Sequence, residues 1–292
     1  MNAAVLVGVD GSESAVKADR WAADEARCRQ VPLHLVHAYG IPAGYPPGFV
    51  DWHALHQALV AQGRSWLEQA RQAAEEVAPG LVIDTVERNA GAVPALVRES
   101  AQAGLLVLGT RGLGGFTGLL LGSTAVELAA HACCPVVVVC GTPHDGPVVV
   151  GVDGTPAGES AIAFAFAQAS ARGTGLVAVH TWTDLVLEAA FAGSAAALDF
   201  APLAQRAEEV LAERLAGWQE KYPDVPVSRQ VSRERASRAL LRQAERAQLL
   251  VVGSRGRGGF RGLLLGSTSQ HLLRHASCPM AVTRTDPEAD RP

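Results

Sequence analysis

Positive charge is not in excess in this chain: 25 basic against 29 acidic residues leave a formal net charge of −4 over 292 residues. Without that excess, and without a continuous Lys/Arg block, the chain lacks the electrostatic footprint of a polynucleotide binder. Cysteines are few and odd in number: Cys28, Cys133, Cys134, Cys140 and Cys278. They have no metal-ligand spacing, and the adjacent pair cannot bridge without strain, so they read as reduced, mostly buried thiols. Long apolar runs are also missing. No stretch of about 18 apolar residues is available to span a bilayer. The opening run is broken by Gly8 and Asp10, unlike the core of a signal peptide. The expectation is a cytoplasmic protein with neither nucleic acid nor membrane as partner.

Glycine, by contrast, is abundant and concentrated. Residues 109–124 read GTRGLGGFTGLLLGST, follow the apolar run 105–108 and precede a helical pattern. Glycines let backbone N–H groups approach a ligand closely, and the first turn of the next helix carries partial positive charge, so the arrangement suits phosphate. A loop this long inside a compact domain is unusual unless it binds something or is disordered. Disorder is an unlikely reason to write it twice. Residues 253–268 repeat it, with Thr110, Leu113 and Thr117 replaced by Ser254, Arg257 and Arg261.

The duplication extends to the whole chain. Residues 148–155 repeat residues 5–12, and Val179-His180-Thr181-Trp182 repeats Val36-His37-Ala38-Tyr39. The organisation expected is two domains, residues 1–141 and 147–285, joined by the Gly- and Pro-containing linker 141–146. Within the first, the patterns predict strands at 4–9, 33–38, 81–86, 105–108 and 136–140, and helices at 14–29, 52–77, 93–103 and 123–131. The first helix is read as amphipathic, with Ala15, Ala18, Ala22 and Ala26 inward and Lys17, Asp19, Arg20, Asp24 and Glu25 on its polar side. Strands alternating with helices imply parallel βαβ units and a sheet covered on both faces. Ligands of such sheets sit beyond the carboxyl ends of the strands, at the point where strand order reverses. Asp10 and Gly109 both lie at carboxyl ends and can meet there, as can Asp153 and Gly253.

The spacing Gly109-x2-Gly112-x9-Gly122-Ser123, repeated as Gly253-x2-Gly256-x9-Gly266-Ser267, resembles that of the universal stress proteins. With it stand the Val-Gly-Val-Asp-Gly opening, the histidine of the second strand and the Cys-Pro before the last. The resemblance is to the ATP-binding branch in its tandem, actinobacterial arrangement and covers both halves. It implies an α/β fold of two Rossmann-like domains of the adenine nucleotide α-hydrolase type, each a five-stranded parallel sheet with helices on both faces. It also implies one ATP per repeat, with Mg2+ on the triphosphate and no protein-ligated metal, in a regulator of stress or growth that does not turn ATP over efficiently. Asp10 and Asp153, with their neighbours Val9, Gly11, Val152 and Gly154, would lie at the adenosine end. Backbone at Ala38 and Thr181 would border adenine. Gly109 and Gly112, or Gly253 and Gly256, would accommodate ribose and phosphates. Gly122, Ser123 and Thr124, or Gly266, Ser267 and Thr268, would hold the distal phosphates.

Several residues carry plainer alternatives. Asp10 and Asp153 could cap the following helices. His37 and His180 lack a visible Ser or Cys partner and read as packed, satisfied histidines. Arg111 and Arg255 are either phosphate clamps or solvated loop residues. Cys133 and Cys134 read as buried and structural. Tyr39 and Trp182 either line the pocket or pack beneath the following loop. An adenine-nucleotide hydrolase or adenylyl-transferring enzyme is the rival function, but such enzymes carry a Ser-Gly-Gly-x-Asp-Ser loop where this chain has Asp10-Gly11-Ser12. A P-loop NTPase is excluded, because neither glycine loop ends in Gly-Lys-Ser/Thr. The two sites are expected to be unequal, because Arg257 and Arg261 add positive charge to the second. The short apolar strands at 136–139 and 280–283 invite pairing, and the resemblance implies antiparallel pairing of these strands and a homodimer.

Overall fold

The computed structural model describes residues 3–40, 51–112, 121–182, 200–256 and 265–284. The chain divides into two units, Met1–Val139 and Cys140–Pro292. In the first, β1 (Val5–Gly8), β2 (Leu33–Tyr39), β3 (Ile83–Asn89), β4 (Leu105–Gly109) and β5 (Val136–Val139) are joined through α1 (Glu13–Arg29), α2 (Trp52–Val77), α3 (Ala92–Ser100) and α4 (Ser123–His131). The strands lie in the order β3-β2-β1-β4-β5 and every pair is parallel. Helices α1 and α2 pack on each other and against β1, β2 and β4, while α3 and α4 pack on each other and against β1, β2 and β5.

The second unit repeats the plan. Its strands β6 (Val148–Val152), β7 (Leu176–Thr181), β8 (Val227–Ser232), β9 (Leu249–Gly253) and β10 (Met280–Thr283) lie in the order β8-β7-β6-β9-β10. All of these pairs are parallel. Its described helices are α5 (Glu159–Ala171), α6 (Ala201–Lys221), α7 (Ala236–Ala244) and α8 (Ser267–His275).

The apolar runs produce these sheets because a strand covered on both faces has no solvent side to leave polar. Val5, Val7, Leu105, Leu106 and Val107 are fully buried, as are Val148, Val149 and Val150 in the second unit. Both position and composition distinguish β3. It pairs with β2 alone in its unit, and after the buried Ile83 its residues, mostly polar, are half-buried or exposed. It also begins at Ile83, not residue 81: Gly80 has a φ of +83°, Leu81 N–H bonds back to the Ala78 carbonyl, and Val82 is 63% exposed. The Pro79-Gly80 turn therefore uses up two apolar residues before the strand starts.

Two further expectations fail. Cys133 is exposed, although Cys134 is buried as expected. Burial pushes the thiols of Cys134, Cys140 and Cys278 up to about 12, so none of these three is a thiolate nucleophile near neutrality. On α1, Asp19 and Glu25 are buried rather than on the polar side. The helix lies between the sheet and α2, so more than half its circumference is covered. Glu25 meets this burial with an ion pair to Arg29.

Asp19 has no such cation. Its Oδ1 is buried without a hydrogen-bond partner, and α2 turns Leu67, Ala70, Ala73 and Ala74 inward, which carry no charge. Desolvation, reinforced by the negative charge of Asp10, raises the Asp19 carboxyl from 3.8 to about 8. The folded state thus keeps a proton that the unfolded chain releases. Its contribution to stability is complete below pH 4 and is lost as the pH rises through 8. A gap of about four pH units, at about 1.4 kcal/mol each, corresponds to several kcal/mol. Asp19→Asn, which cannot ionise, should show a much flatter decline between pH 6 and pH 9 in urea denaturation than the parent chain. Parallel curves for the two proteins would show that Asp19 does not hold this proton.

Candidate ligand site at the switch point

In the first unit β2 and β3 lie on one side of β1 and β4 and β5 on the other. Crossover helices therefore leave β1 and β4 in opposite directions, and a crevice opens between their carboxyl ends. Asp10 stands at one lip. Its Oδ1 accepts the Ser12 N–H at 3.0 Å, a local turn in which Gly11 takes a φ of +79°. The cap of α1 is Ser12, whose hydroxyl accepts from Ala15 N–H at 3.2 Å. Asp10 is thus not the helix cap, and its second oxygen faces the glycine loop. A Cβ built on Gly112 would lie 2.4 Å from Asp10 Oδ2.

The loop enters the crevice under tight restraint. A Cβ at Gly109 would come within 2.6 Å of the Ser14 backbone, so only glycine lets β4 pass the start of α1. The Ser14 hydroxyl accepts from Arg111 N–H at 3.2 Å and donates to the Arg111 carbonyl. The Ser12 hydroxyl donates to the same carbonyl at 3.1 Å. The loop is then closed by Gly122 N–H donating to the Thr110 carbonyl at 2.8 Å.

Gly122 itself is glycine for a different reason. Its φ of −75° and ψ of 149° suit any residue, and a Cβ would meet Thr110 and Arg111 only at ordinary contact distances of 3.5 and 3.6 Å. It is the N-cap of α4 and, having no side chain, leaves the cap position without a side-chain hydrogen bond. Four N–H groups at a helix start lack intrahelical partners. Gly266 does the same for α8, with a φ of −65° and no side-chain cap. Both helices present an open, partially positive first turn to the crevice.

A cleft of ≈ 360 Å3 lies here in the first unit. Of the residues predicted from sequence, Val9, Asp10, Ala38, Gly109, Arg111, Gly112, Gly122, Ser123 and Thr124 line it. Gly11 lies outside that lining, with the Trp66 indole packed against its Cα face. The lining also includes Thr110 and the apolar side chains of Val36, Leu96 and Leu108, which the motif alone did not single out. The floor is therefore apolar and the rim polar.

The histidines belong to the scaffold. His37 Nδ1 donates to the Val9 carbonyl at 2.7 Å, and His180 Nδ1 to the Val152 carbonyl at 2.6 Å. Both are buried. They fix the strand end that carries Asp10 or Asp153. Gly63, in mid-α2, is explained by the same contact, since a Cβ there would stand 2.4 Å from the His37 ring.

In the second unit Asp153 Oδ1 accepts from both Thr155 N–H and Thr155 Oγ1–H, each at 2.8 Å, and Gly154 has a φ of +78°. A 3-10 turn over Pro156–Gly158 precedes α5. Gly256 is further from its aspartate, with Asp153 Oδ2 3.7 Å from a built Cβ. Gly266 N–H closes the loop on the Ser254 carbonyl at 2.8 Å. The Ser269 hydroxyl holds the Gly253 carbonyl at 2.7 Å. Thr181 ends β7, Arg255 and Gly256 are exposed, and Ser267 and Thr268 open α8. Trp182 is buried, its ring 6.0 Å from that of Phe200. Leu113, Thr117, Arg257 and Arg261 lie outside the described residues.

A profile of the universal stress protein family matches residues 1–139 and again 146–284. The chain belongs to the universal stress protein family. It is 41% identical over 295 residues to universal stress protein Rv2623 of Mycobacterium tuberculosis, with 96% of each chain covered. It is 40% identical over 301 residues to a universal stress protein of Mycolicibacterium smegmatis, again with 96% of each covered. The crystal structure of a universal stress protein from Archaeoglobus fulgidus shares its fold, with a TM-score of 0.70 and 19% identity over 96% of this chain and 98% of that one.

The two loop glycines of this universal stress protein separate by experiment. Gly109→Ala forces backbone on backbone and should cost about 1 to 3 kcal/mol. Gly122→Ala has room and should leave stability within about 1 kcal/mol of the parent, on either side. Urea denaturation of the two variants checks this. Equal losses would mean that Gly122 is held by packing rather than by the need for an open helix start.

Proposed function

We propose that each repeat of this universal stress protein binds one ATP in its switch-point crevice. The nucleotide state would then be signalled by conformation or partner choice in a stress or growth response, without efficient turnover. The observation that carries this reading is the pair of glycine N-caps, Gly122 and Gly266. Each leaves the first turn of its helix free for an anion, directly after a loop whose backbone is pinned beside an aspartate. Glycine N-caps without a side-chain bond also open α3 (Gly91) and α5 (Gly158); what sets α4 and α8 apart is the glycine loop before each, closed by Gly122 N–H on the Thr110 carbonyl and by Gly266 N–H on the Ser254 carbonyl. Phosphate at such a helix start is favoured both by the free N–H groups and by the helix dipole.

The rest of the nucleotide fits around that end. The apolar floor of Val36, Leu96 and Leu108 suits a base, and Asp10, aimed across at Gly112, suits hydroxyls of a ribose. Arg111, exposed at the rim with its backbone tied to Ser12 and Ser14, can swing its guanidinium onto a phosphate. Among the described residues no group of three or more His, Cys, Asp or Glu could hold a metal. Mg2+ would accordingly travel on the triphosphate and complete its shell with water.

No helix among the described residues is long and apolar enough to cross a membrane. Together with the reading above, this favours the cytoplasm as the place of action. A homodimer is the assembly we expect, and sedimentation equilibrium should give twice the chain mass.

Calorimetry with Mg-ATP on nucleotide-free protein should give a stoichiometry near two. Gly122→Arg should lower it to near one, and Gly122→Arg with Gly266→Arg should abolish binding while circular dichroism stays unchanged. Undiminished binding by the double variant would place the nucleotide elsewhere. Rapid release of ADP during the titration would favour the enzymatic alternative.

A further inference from the structure

Six arginines, Arg229, Arg233, Arg235, Arg238, Arg242 and Arg246, fall within 18 residues of the second repeat, against only Glu234 and Glu245. The corresponding residues 85–102 of the first repeat hold two arginines and two glutamates. In sequence these arginines are dispersed and form no block. The fold gathers four of them. Arg235, at the N-cap of α7, and Arg238, Arg242 and Arg246 follow one another at intervals of three, four and four residues, and all four are exposed. At 100° per residue Arg238 and Arg242 lie about 40° apart on the helix and about 6 Å apart along it, with Arg235 at the N-cap before it and Arg246 just past its end. Ala239, Leu240 and Ala244, on the other side of the helix, are buried.

The row is not there for the helix's own benefit. Arg235 occupies the N-cap, where it makes no side-chain cap bond and where positive charge opposes the helix dipole. Arg238 and Arg242, four apart on the same face, repel each other. One carboxylate is shared between them: Glu234 lies 3.8 Å from Arg238 Nε and also pairs with Arg242. Even so, the Arg238 side chain is 85% exposed. Arg242 and Arg246 suit the C-terminal end of the dipole, but four guanidiniums against one shared carboxylate exceed what the helix uses, and a row that the first repeat lacks is best accounted for by something outside the unit.

We propose that the arginine row of α7 is a docking surface for an acidic helix of another protein, one that carries Glu or Asp at matching intervals of three and four residues. Guanidinium forks pair with carboxylates bidentately, and two helices laid side by side keep such residues in register along several turns. Other occupants match less well. A second copy of this chain offers Glu209, Glu213 and Glu220 on α6, but α6 and α7 are successive crossovers that pack on opposite faces of the sheet. Pairing them between copies would be head-to-tail and would build a ring or a filament rather than a two-fold dimer. A bilayer would meet a single line of charge with no exposed large apolar side chain beside it, since Val82 of the first unit is the only such residue among those described. Among the described residues single-stranded nucleic acid would find no exposed aromatic ring along the row on which to stack, and a chain of net charge −4 would repel it.

The test uses the full chain and a fluorescent synthetic helical peptide about four turns long, with glutamates at spacings of three and four, read by anisotropy. A peptide of the same composition in scrambled order, a single-stranded oligonucleotide and phosphatidylglycerol-containing vesicles complete the probes. The spaced peptide should bind at about 50 mM salt and weaken markedly at about 300 mM, where exposed charge is screened. Arg238→Glu with Arg242→Glu should reduce that affinity at least tenfold. Arg98→Glu, the counterpart of Arg242 in the first repeat, should leave it unchanged. Because both substituted residues are solvent-facing, the fold should persist, and Arg238→Gln with Arg242→Gln supplies a milder variant if it does not. No preference for the spaced over the scrambled peptide would overturn the proposal. So would equal affinity in the variants, or tighter binding of the oligonucleotide or vesicles through the same arginines.

Discussion

The structure of the first repeat depends on one close approach: the end of β4 must slide past the beginning of α1. In the first repeat this brings Gly109 against the Ser14 backbone, a contact that excludes even a methyl group. From it follow the pinning of Arg111 by Ser12 and Ser14 and the position of Gly112 beside Asp10. A larger residue at Gly109 would push the loop outward and separate the aspartate from the helix start. The crevice exists because strand order reverses, but its lips face one another because this contact is tight.

The second repeat reaches the same shape by other bonds. Thr155 turns its hydroxyl to Asp153 instead of to the loop, and Ala157 stands where Ser14 does, with no hydroxyl to offer. The loop is held instead from the far side: Ser269 of α8 binds the Gly253 carbonyl, and Ser254 N–H reaches the Thr283 carbonyl of β10. Behind the aspartate turn, the first repeat packs Trp66 on Gly11, whereas the second has Arg214 donating to the Gly154 carbonyl at 3.1 Å. Restraint on the loop is therefore preserved while the residues that supply it are exchanged. The hydrogen bond from histidine to the end of the first strand is kept in both repeats, which marks it as part of what any version of this crevice requires.

Much of this was legible because a buried parallel strand and a glycine loop are written in residue types. The runs 105–108 and 148–152 admit little but a two-sided strand, and α2 and α4 begin and end where their patterns do. What escaped the sequence depends on distance rather than composition. Asp19 and Glu25 carry the charge expected of a solvent face, and only the covering of α1 by both sheet and α2 buries them. Asp10 could cap the helix as well as meet a ligand, and it is Ser12 whose hydroxyl takes the cap. Trp66 and Arg214 sit within long amphipathic helices where nothing local ties them to the aspartate turns. The arginines of α7 form no run along the chain and become a row only at helical pitch.

Gly122 and Gly109 show why two glycines of one motif must be argued separately. At Gly109 the protein itself fills the space that a side chain would take, so the residue is fixed by folding. At Gly122 the space is open and the backbone angles are ordinary, and a serine or aspartate there would stabilise α4 over glycine by roughly a few tenths of a kcal/mol as an N-cap. The chain forgoes that gain at Gly122 and Gly266, as it does at Gly91 and Gly158, while taking it at Ser12. A capping side chain would fold its own oxygen over the N–H groups of the first turn and occupy them. Leaving them to solvent costs little stability and keeps an aligned donor set without internal competition, the arrangement that the proposed anion site requires.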